Sequence, residues 1–222
     1  MTQKIIFSFG YFALKIFFKI YLSLNIKGAK NIPDGRGVII ASNQKSYIDP
    51  LLIFISLPLK SALKLYFMIA LRHRKKKWLT WLLGDKVIFV KSISGLSDAM
   101  KKISDILENK NILLIFPEGD WNPDTKRMVT FQSGVGLIAE ISGAPIIPTY
   151  IHNSGIALPE GSYFIRKTKV QILFDKQLQI PSGLQKKYNK KSKYYLAISK
   201  MVKRKILNLK QVLLKNTSKI KI

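Results

Sequence analysis

Residues 3–24, QKIIFSFGYFALKIFFKIYLSL, are almost wholly apolar or aromatic, and their few polar positions recur at helical spacing. Lys4, Ser8, Tyr11, Lys15 and Lys19 follow steps of four, three, four and four, so they share one face of a helix. Ile5, Ile6, Phe7, Phe9, Phe12, Leu14, Ile16, Phe17, Phe18 and Ile20 occupy the rest. A wide apolar surface with a narrow lysine stripe predicts a helix lying in a membrane interface or dipping into one leaflet. Lys15 and Lys19 argue against a full span, because a cation near the bilayer centre is costly. No small-residue cleavage site follows the apolar core, which argues against a signal peptide. The plain alternative is an N-terminal core helix of a soluble protein.

From residue 25 to about 180 the pattern alternates between short β-prone runs and helical stretches. Strands are predicted at 37–41, 64–70, 86–91, 112–116, 145–151 and 169–174. Helices are predicted at 50–56, 76–83, 95–109 and 134–142. This order predicts an α/β fold with a mixed or mostly parallel central sheet flanked by helices. Pro145 and Pro148 place the fifth strand at an edge or on a bulge, since proline cannot donate to a sheet ladder. Beyond Asp175 there is no acidic residue. A basic run, KKYNKKSK at 186–193, leads into a helical pattern with Tyr195, Ile198, Val202, Ile206, Leu209 and Leu213 on one face and Lys200, Lys203, Arg204 and Lys210 elsewhere. That is a basic amphipathic helix suited to an anionic membrane surface or a partner's groove. The expected organisation is a membrane-associating helix at 1–26, an α/β domain at 27–180 and a basic helical tail at 181–222.

Three predicted strand ends are distinctive, that of the proline-bearing strand and two that run into polar loops, and in open α/β sheets ligands collect beyond the carboxyl ends of strands. The first loop is Ser42-Asn43-Gln44-Lys45-Ser46-Tyr47-Ile48-Asp49-Pro50. Asp49 suits an N-cap and Pro50 the first helical position. The second is Phe116-Pro117-Glu118-Gly119-Asp120-Trp121-Asn122, where a carboxylate sits between proline and glycine on a stiff, closely approached backbone. Taken singly, each is equally an ordinary turn.

The chain has 222 residues, 47% of them hydrophobic, enough for one sizeable α/β domain with peripheral elements. Lys and Arg number 38 against 12 Asp and Glu, a net charge of +26 that calls for a polyanionic partner, nucleic acid or anionic membrane. Cysteine is absent, which excludes disulfides and thiol catalysis. With His73 and His152 the only histidines, and no clustered carboxylates, no metal site is expected. No recognised nucleic-acid module accompanies the charge, so a membrane explains both termini better.

In order along the chain, these blocks resemble the glycerolipid acyltransferase family, whose bacterial members include lysophosphatidate acyltransferases. Its Asn-His-x4-Asp block corresponds to Asn43-Gln44-x4-Asp49, and its Gly…Phe-Ile-x-Arg block to Gly84…Val87-Ile88-Phe89-Val90-Lys91. Phe-Pro-Glu-Gly corresponds to Phe116-Pro117-Glu118-Gly119, and the Pro-Val-Ile-Pro-type strand to Pro145-Ile146-Ile147-Pro148. Phe131-Gln132-Ser133-Gly134 is similar to the family's Phe-Lys-x-Gly. The resemblance covers about residues 28–178.

The resemblance implies transfer of an acyl chain from acyl-CoA or acyl-carrier protein to a lysoglycerolipid hydroxyl, with no cofactor beyond that cosubstrate. It places the catalytic base at Gln44, oriented by Asp49. The acceptor loop falls at Pro117, Glu118 and Gly119, and the headgroup cation at Lys91. Gln44 departs from the pattern: its amide does not titrate, and general-base catalysis contributes about 10²–10⁴ in rate. Lys91 keeps the charge of the family's arginine but not its fork. The family's Thr-Arg is replaced by Asp120-Trp121, with Lys126 and Arg127 close by to compensate. His152, at the end of the fourth-block strand, is a further candidate base, whereas His73 lies in a cationic run. The expected setting is the cytoplasmic side of the inner membrane, in peripheral or monotopic association, with an anionic surface, a lysophospholipid and an acyl thioester donor as partners. A lipid-binding pseudoenzyme of the same fold is the main alternative, and a basic nucleic-acid-binding protein the remote one.

Overall fold

The computed structural model describes residues 2–70, 84–90, 96–119 and 128–218. Helix α1 spans Thr2–Tyr21 and is followed by strand β1 at Asn25–Lys27 and strand β2 at Val38–Ser42. Then come α2 at Asp49–Ser56, β3 at Leu65–Ala70, β4 at Val87–Val90, α3 at Leu96–Glu108 and β5 at Ile112–Ile115. The chain continues through α4 at Gly134–Ser142, β6 at Ile146–His152, β7 at Gln171–Phe174 and α5 at Lys191–Ser218. One seven-stranded sheet has the order β1-β7-β6-β2-β5-β3-β4. All its pairings are parallel except β6 with β7.

Strand β2 is buried along its whole length, and alternation of its side chains feeds two cores. Ile39 and Ala41 join the core under α3, α4 and α5, with Ile103, Ile138, Ile198, Val202 and Ile206. Val38 and Ile40 join the core under α1 and α2, with Tyr11, Phe18, Leu22, Leu52 and Ile53. Helices thus cover both faces of the sheet, as parallel strands require.

The proline-bearing strand is not at an edge. β6 lies between β2 and β7, with Ala41 opposite Pro148 on the β2 side. Pro148 is tolerated because its own polar groups point to the other side. Its carbonyl accepts from Asp175 N at 2.9 Å, just past the end of β7. The antiparallel ladder begins at Thr149 opposite Phe174, so the missing N–H falls where no strand pairing is needed.

The apolar seam of α5 is spent on the sheet, and one further expectation is corrected. Ile198, Val202, Ile206 and Leu213 are buried in the core, and Gly136 of α4 lets the helix approach so closely that a Cβ there would strike the Tyr195 carbonyl. Asp49 is the first residue of α2 rather than its cap; Ile48 holds the N-cap position and makes no side-chain cap bond. The Asp49 carboxylate reaches back into the preceding loop.

Helix α1 forms where its periodicity places it, and it meets the domain through Tyr11 and Phe18. Part of the polar stripe faces inward: Tyr11 donates through its hydroxyl to the Leu57 carbonyl at the end of α2, and Lys15 Nζ lies 3.0 Å from Tyr11 Oη. Phe9, Phe12, Ile16, Phe17 and Ile20 face out, Phe9 and Ile20 being 77% and 72% exposed. Among the described residues no helix is long and apolar enough to cross a membrane. The predicted helix at 76–83 lies outside the described residues.

Candidate active site

Strands β2 and β5 are parallel neighbours, so the loops after them leave the same edge of the sheet side by side. The first loop is tied down on both flanks. Asn43 is buried, and its amide donates to the Ile151 carbonyl at 3.0 Å and accepts from the Ile151 N–H at 2.8 Å. That pair of bonds continues the β2–β6 ladder through a side chain after the strand has ended. Ser46 Oγ donates to the Leu158 carbonyl at 2.8 Å.

Inside the loop, Asp49 Oδ2 accepts from the backbone N–H groups of Lys45 at 2.6 Å and Ser46 at 2.9 Å. The residue is completely buried. Among the described residues its other oxygen, Oδ1, has no hydrogen-bond partner, and neither does the buried Ser154 Oγ. The two side chains face one another: Ser154 favours the ionised carboxyl without reaching full hydrogen-bond geometry. Burial pushes the Asp49 carboxyl up to about 6; Ser154 and the two backbone donors pull the other way, and the Glu118 charge adds to the rise.

The second loop meets the first through Glu118. Its Oε1 accepts from the Gln44 N–H at 3.1 Å and its Oε2 from the Val129 N–H at 3.2 Å. Lys45 Nζ lies 3.9 Å from Oε2, both groups being buried. Pro117 presents its carbonyl to the Gln132 N–H at 2.8 Å. Gly119 has φ +72°, and a Cβ there would run into the Gln132 side-chain amide. Glycine is needed at that position for both reasons.

The structure therefore brings together Gln44, Asp49, Pro117, Glu118 and Gly119. Lys91, Arg127 and His73 lie outside the described residues. His152 points elsewhere. Its Nδ1 is 3.2 Å from Tyr150 Oη, and Tyr150 belongs to the core beneath α5. Burial, then the Lys210 charge of α5, lowers the His152 pKa, while burial pushes Tyr150 up to about 12.

Three residues of the site escaped the sequence. Lys45 is singled out by nothing in its loop's sequence, yet it is buried against Glu118. Ser154 stands in no motif, and only the fold sets it against Asp49. Gln132 lies in the Phe131-Gln132-Ser133-Gly134 block, so a signal existed there, but nothing in the sequence pairs it with Gly119.

Chemically, position 44 lies between a buried carboxylate and a carboxylate–ammonium pair. The Gln44 amide donates and accepts hydrogen bonds but does not titrate. It can orient a hydroxyl or a carbonyl oxygen; it cannot take a proton. A family model described as Acyltransferase matches residues 23–152. The chain is 25% identical over 166 residues to the chloroplastic 1-acyl-sn-glycerol-3-phosphate acyltransferase LPAT1 of Arabidopsis thaliana, covering 69% of this chain and 44% of that protein. It thus spans under half the length of that relative. The crystal structure of the 1-acyl-sn-glycerophosphate acyltransferase PlsC from Thermotoga maritima superposes with a TM-score of 0.62 over 90% of this chain and 79% of that one, at 21% identity. That likeness is one of fold.

Proposed function

The chain belongs to the acyltransferase family, and from that premise we propose that it transfers an acyl chain from acyl-CoA or acyl-carrier protein to the hydroxyl of a lysoglycerolipid. The observation that carries this reading is the Glu118 bridge. One carboxylate holds the Gln44 backbone at 3.1 Å and so fixes the first loop against the second at the carboxyl ends of adjacent strands. Substrate hydroxyl and thioester carbonyl would meet at that junction, with Pro117 and Gly119 shaping the acceptor side and Lys91 and Arg127 supplying cations for a headgroup. Proximity and orientation are what such a rigid junction contributes.

The working surface in this proposal is an anionic bilayer on the cytoplasmic side of the inner membrane. Two features support it: the outward apolar face of α1, with Phe9 77% exposed, and the net charge of +26.

Gln44 also favours a second reading, a lipid-binding protein that keeps the site and has lost turnover. Purified protein incubated with lysolipid and labelled acyl thioester, native and Gln44→His side by side, tests both. The acyltransferase reading expects measurable native transfer that rises by about 10²–10⁴ with the histidine in place. Transfer in Gln44→His alone favours the second reading. Absence of transfer from both proteins, each shown to be folded, overturns the first.

A further inference from the structure

Between β6 and β7, past the one-turn helix Ser154–Ala157, the chain carries two adjacent aromatics in the open. Tyr163 is 94% exposed and Phe164 83%. Large apolar side chains held in water at a loop tip mark an interaction surface. The tip is held by its own hydrogen bonds. Ser162 Oγ donates to the Phe164 carbonyl at 3.0 Å and accepts from its N–H at 3.3 Å, and Ser162 N–H donates to the Pro159 carbonyl at 3.2 Å. Such a tip loses little freedom on docking.

We propose that Tyr163 and Phe164 form a second insertion point into an anionic bilayer, acting together with the outward face of α1. The inference rests on the membrane reading given above and goes beyond it, because two separate contacts fix the tilt of the protein where one helix would not. The loop is bonded to both relevant parts of the molecule. Tyr21 Oη, at the end of α1, donates to the Ile165 carbonyl at 2.9 Å. Ser46 Oγ, in the first site loop, donates to the Leu158 carbonyl at 2.8 Å. The loop that carries the aromatic tip is thus tied to α1 on one side and, on the other, to the loop that leads to Asp49.

Charge identifies the occupant. Arg166, Lys167 and Lys169 follow the aromatics and are exposed, and the nearest acid is Glu160. Aromatic side chains flanked by cations suit the interface of an anionic leaflet, the ring at headgroup level and the cations on phosphates. A second copy of the chain would bring another +26 to the same surface, and that repulsion works against self-association.

The chain has no cysteine, so Phe164→Cys gives a unique attachment point for an environment-sensitive fluorophore. Ile141→Cys, exposed on α4 against the opposite core, is the control. With vesicles of phosphatidylcholine and phosphatidylglycerol, the Phe164 probe is expected to shift to the blue and brighten while the Ile141 probe stays unchanged. Paired Tyr163→Ser and Phe164→Ser substitutions are expected to weaken vesicle co-sedimentation by about tenfold or more. Native protein that sediments with vesicles while the Phe164 probe stays in water, or while the paired variant binds equally well, overturns this inference and leaves the membrane reading standing. Native protein that does not sediment overturns both. A blue shift that needs no vesicles and grows with protein concentration assigns the tip to a second copy and overturns the proposal.

Discussion

Asp49 and Ser154 face one another in the interior, and among the described residues each leaves one side-chain oxygen without a hydrogen-bond partner. Burial in such a place penalises the charged carboxyl, and its pKa stands near 6. In an unfolded chain it would stand near ~3.9. Between those values the folded protein holds a proton that the unfolded chain has released. Stability attributable to Asp49 is therefore fully present below about pH 4, falls as pH rises toward 6, and levels off above it. The total is on the order of 3 kcal/mol.

Asp49→Asn should remove that slope. The asparagine oxygen can still accept from Lys45 and Ser46, while its amide can donate to Ser154 Oγ and satisfy the orphaned acceptor. The variant is expected to be at least as stable as the native protein at pH 7.5 and to lose less stability between pH 4 and 6.5. Urea unfolding of both proteins across that range checks it; parallel curves would show that the native carboxyl is not perturbed. If transfer depends on an ionised Asp49, the same variant is stable but inactive.

Glu118 supports the junction by holding the Gln44 and Val129 N–H groups and lying beside the Lys45 ammonium. Glu118→Gln keeps the shape but turns one acceptor oxygen into a donor, which then faces either the Gln44 or the Val129 N–H. A loss of about 1–3 kcal/mol is expected, with impaired transfer, since an unmet buried polar group costs about that much. Unfolding by denaturant measures the first effect and the acyl-transfer assay the second. A Gln variant of native stability would mean that Glu118 does not hold the loops together.

The parts of this arrangement that were legible in the sequence are those set by local chemistry. Asn43, Asp49 and the Pro117-Glu118-Gly119 run stand at the ends of strands whose apolar runs read clearly. β1 was not legible: Asn25–Lys27 is three residues long and largely exposed, with no apolar alternation to announce it. The place of β6 was misread because the rule against central prolines depends on where the neighbouring strand stops, and the sequence does not show that. Ser154 could not be found, because its only distinction is to lie opposite Asp49 in the folded protein.

Gly119 offers a separable test of backbone strain and crowding. Gly119→Ala must hold a φ of +72° and also displace the Gln132 amide. The single variant is expected to lose more than about 1 kcal/mol. Adding Gln132→Ala removes the obstruction and should recover only part of the loss, since the left-handed backbone still disfavours alanine. A double-mutant cycle by thermal unfolding reads the two parts. Full recovery in the double variant would assign the whole cost to crowding.

The apolar seam of α5 has the same spacing whether it meets lipid or the sheet, and periodicity alone could not choose. The structure chooses the sheet, because Ile198, Val202 and Ile206 are completely buried. That choice has a measurable consequence. Ile206→Ala is expected to cost about 2–5 kcal/mol in solution without any lipid, as for other buried aliphatic truncations. Val212→Ala, on the same helix but 53% exposed, should change stability by no more than about 0.5 kcal/mol. Denaturant unfolding in vesicle-free buffer measures both. Were the seam reserved for a membrane, the two substitutions would be equally harmless there and Ile206→Ala would show its loss only in vesicle binding.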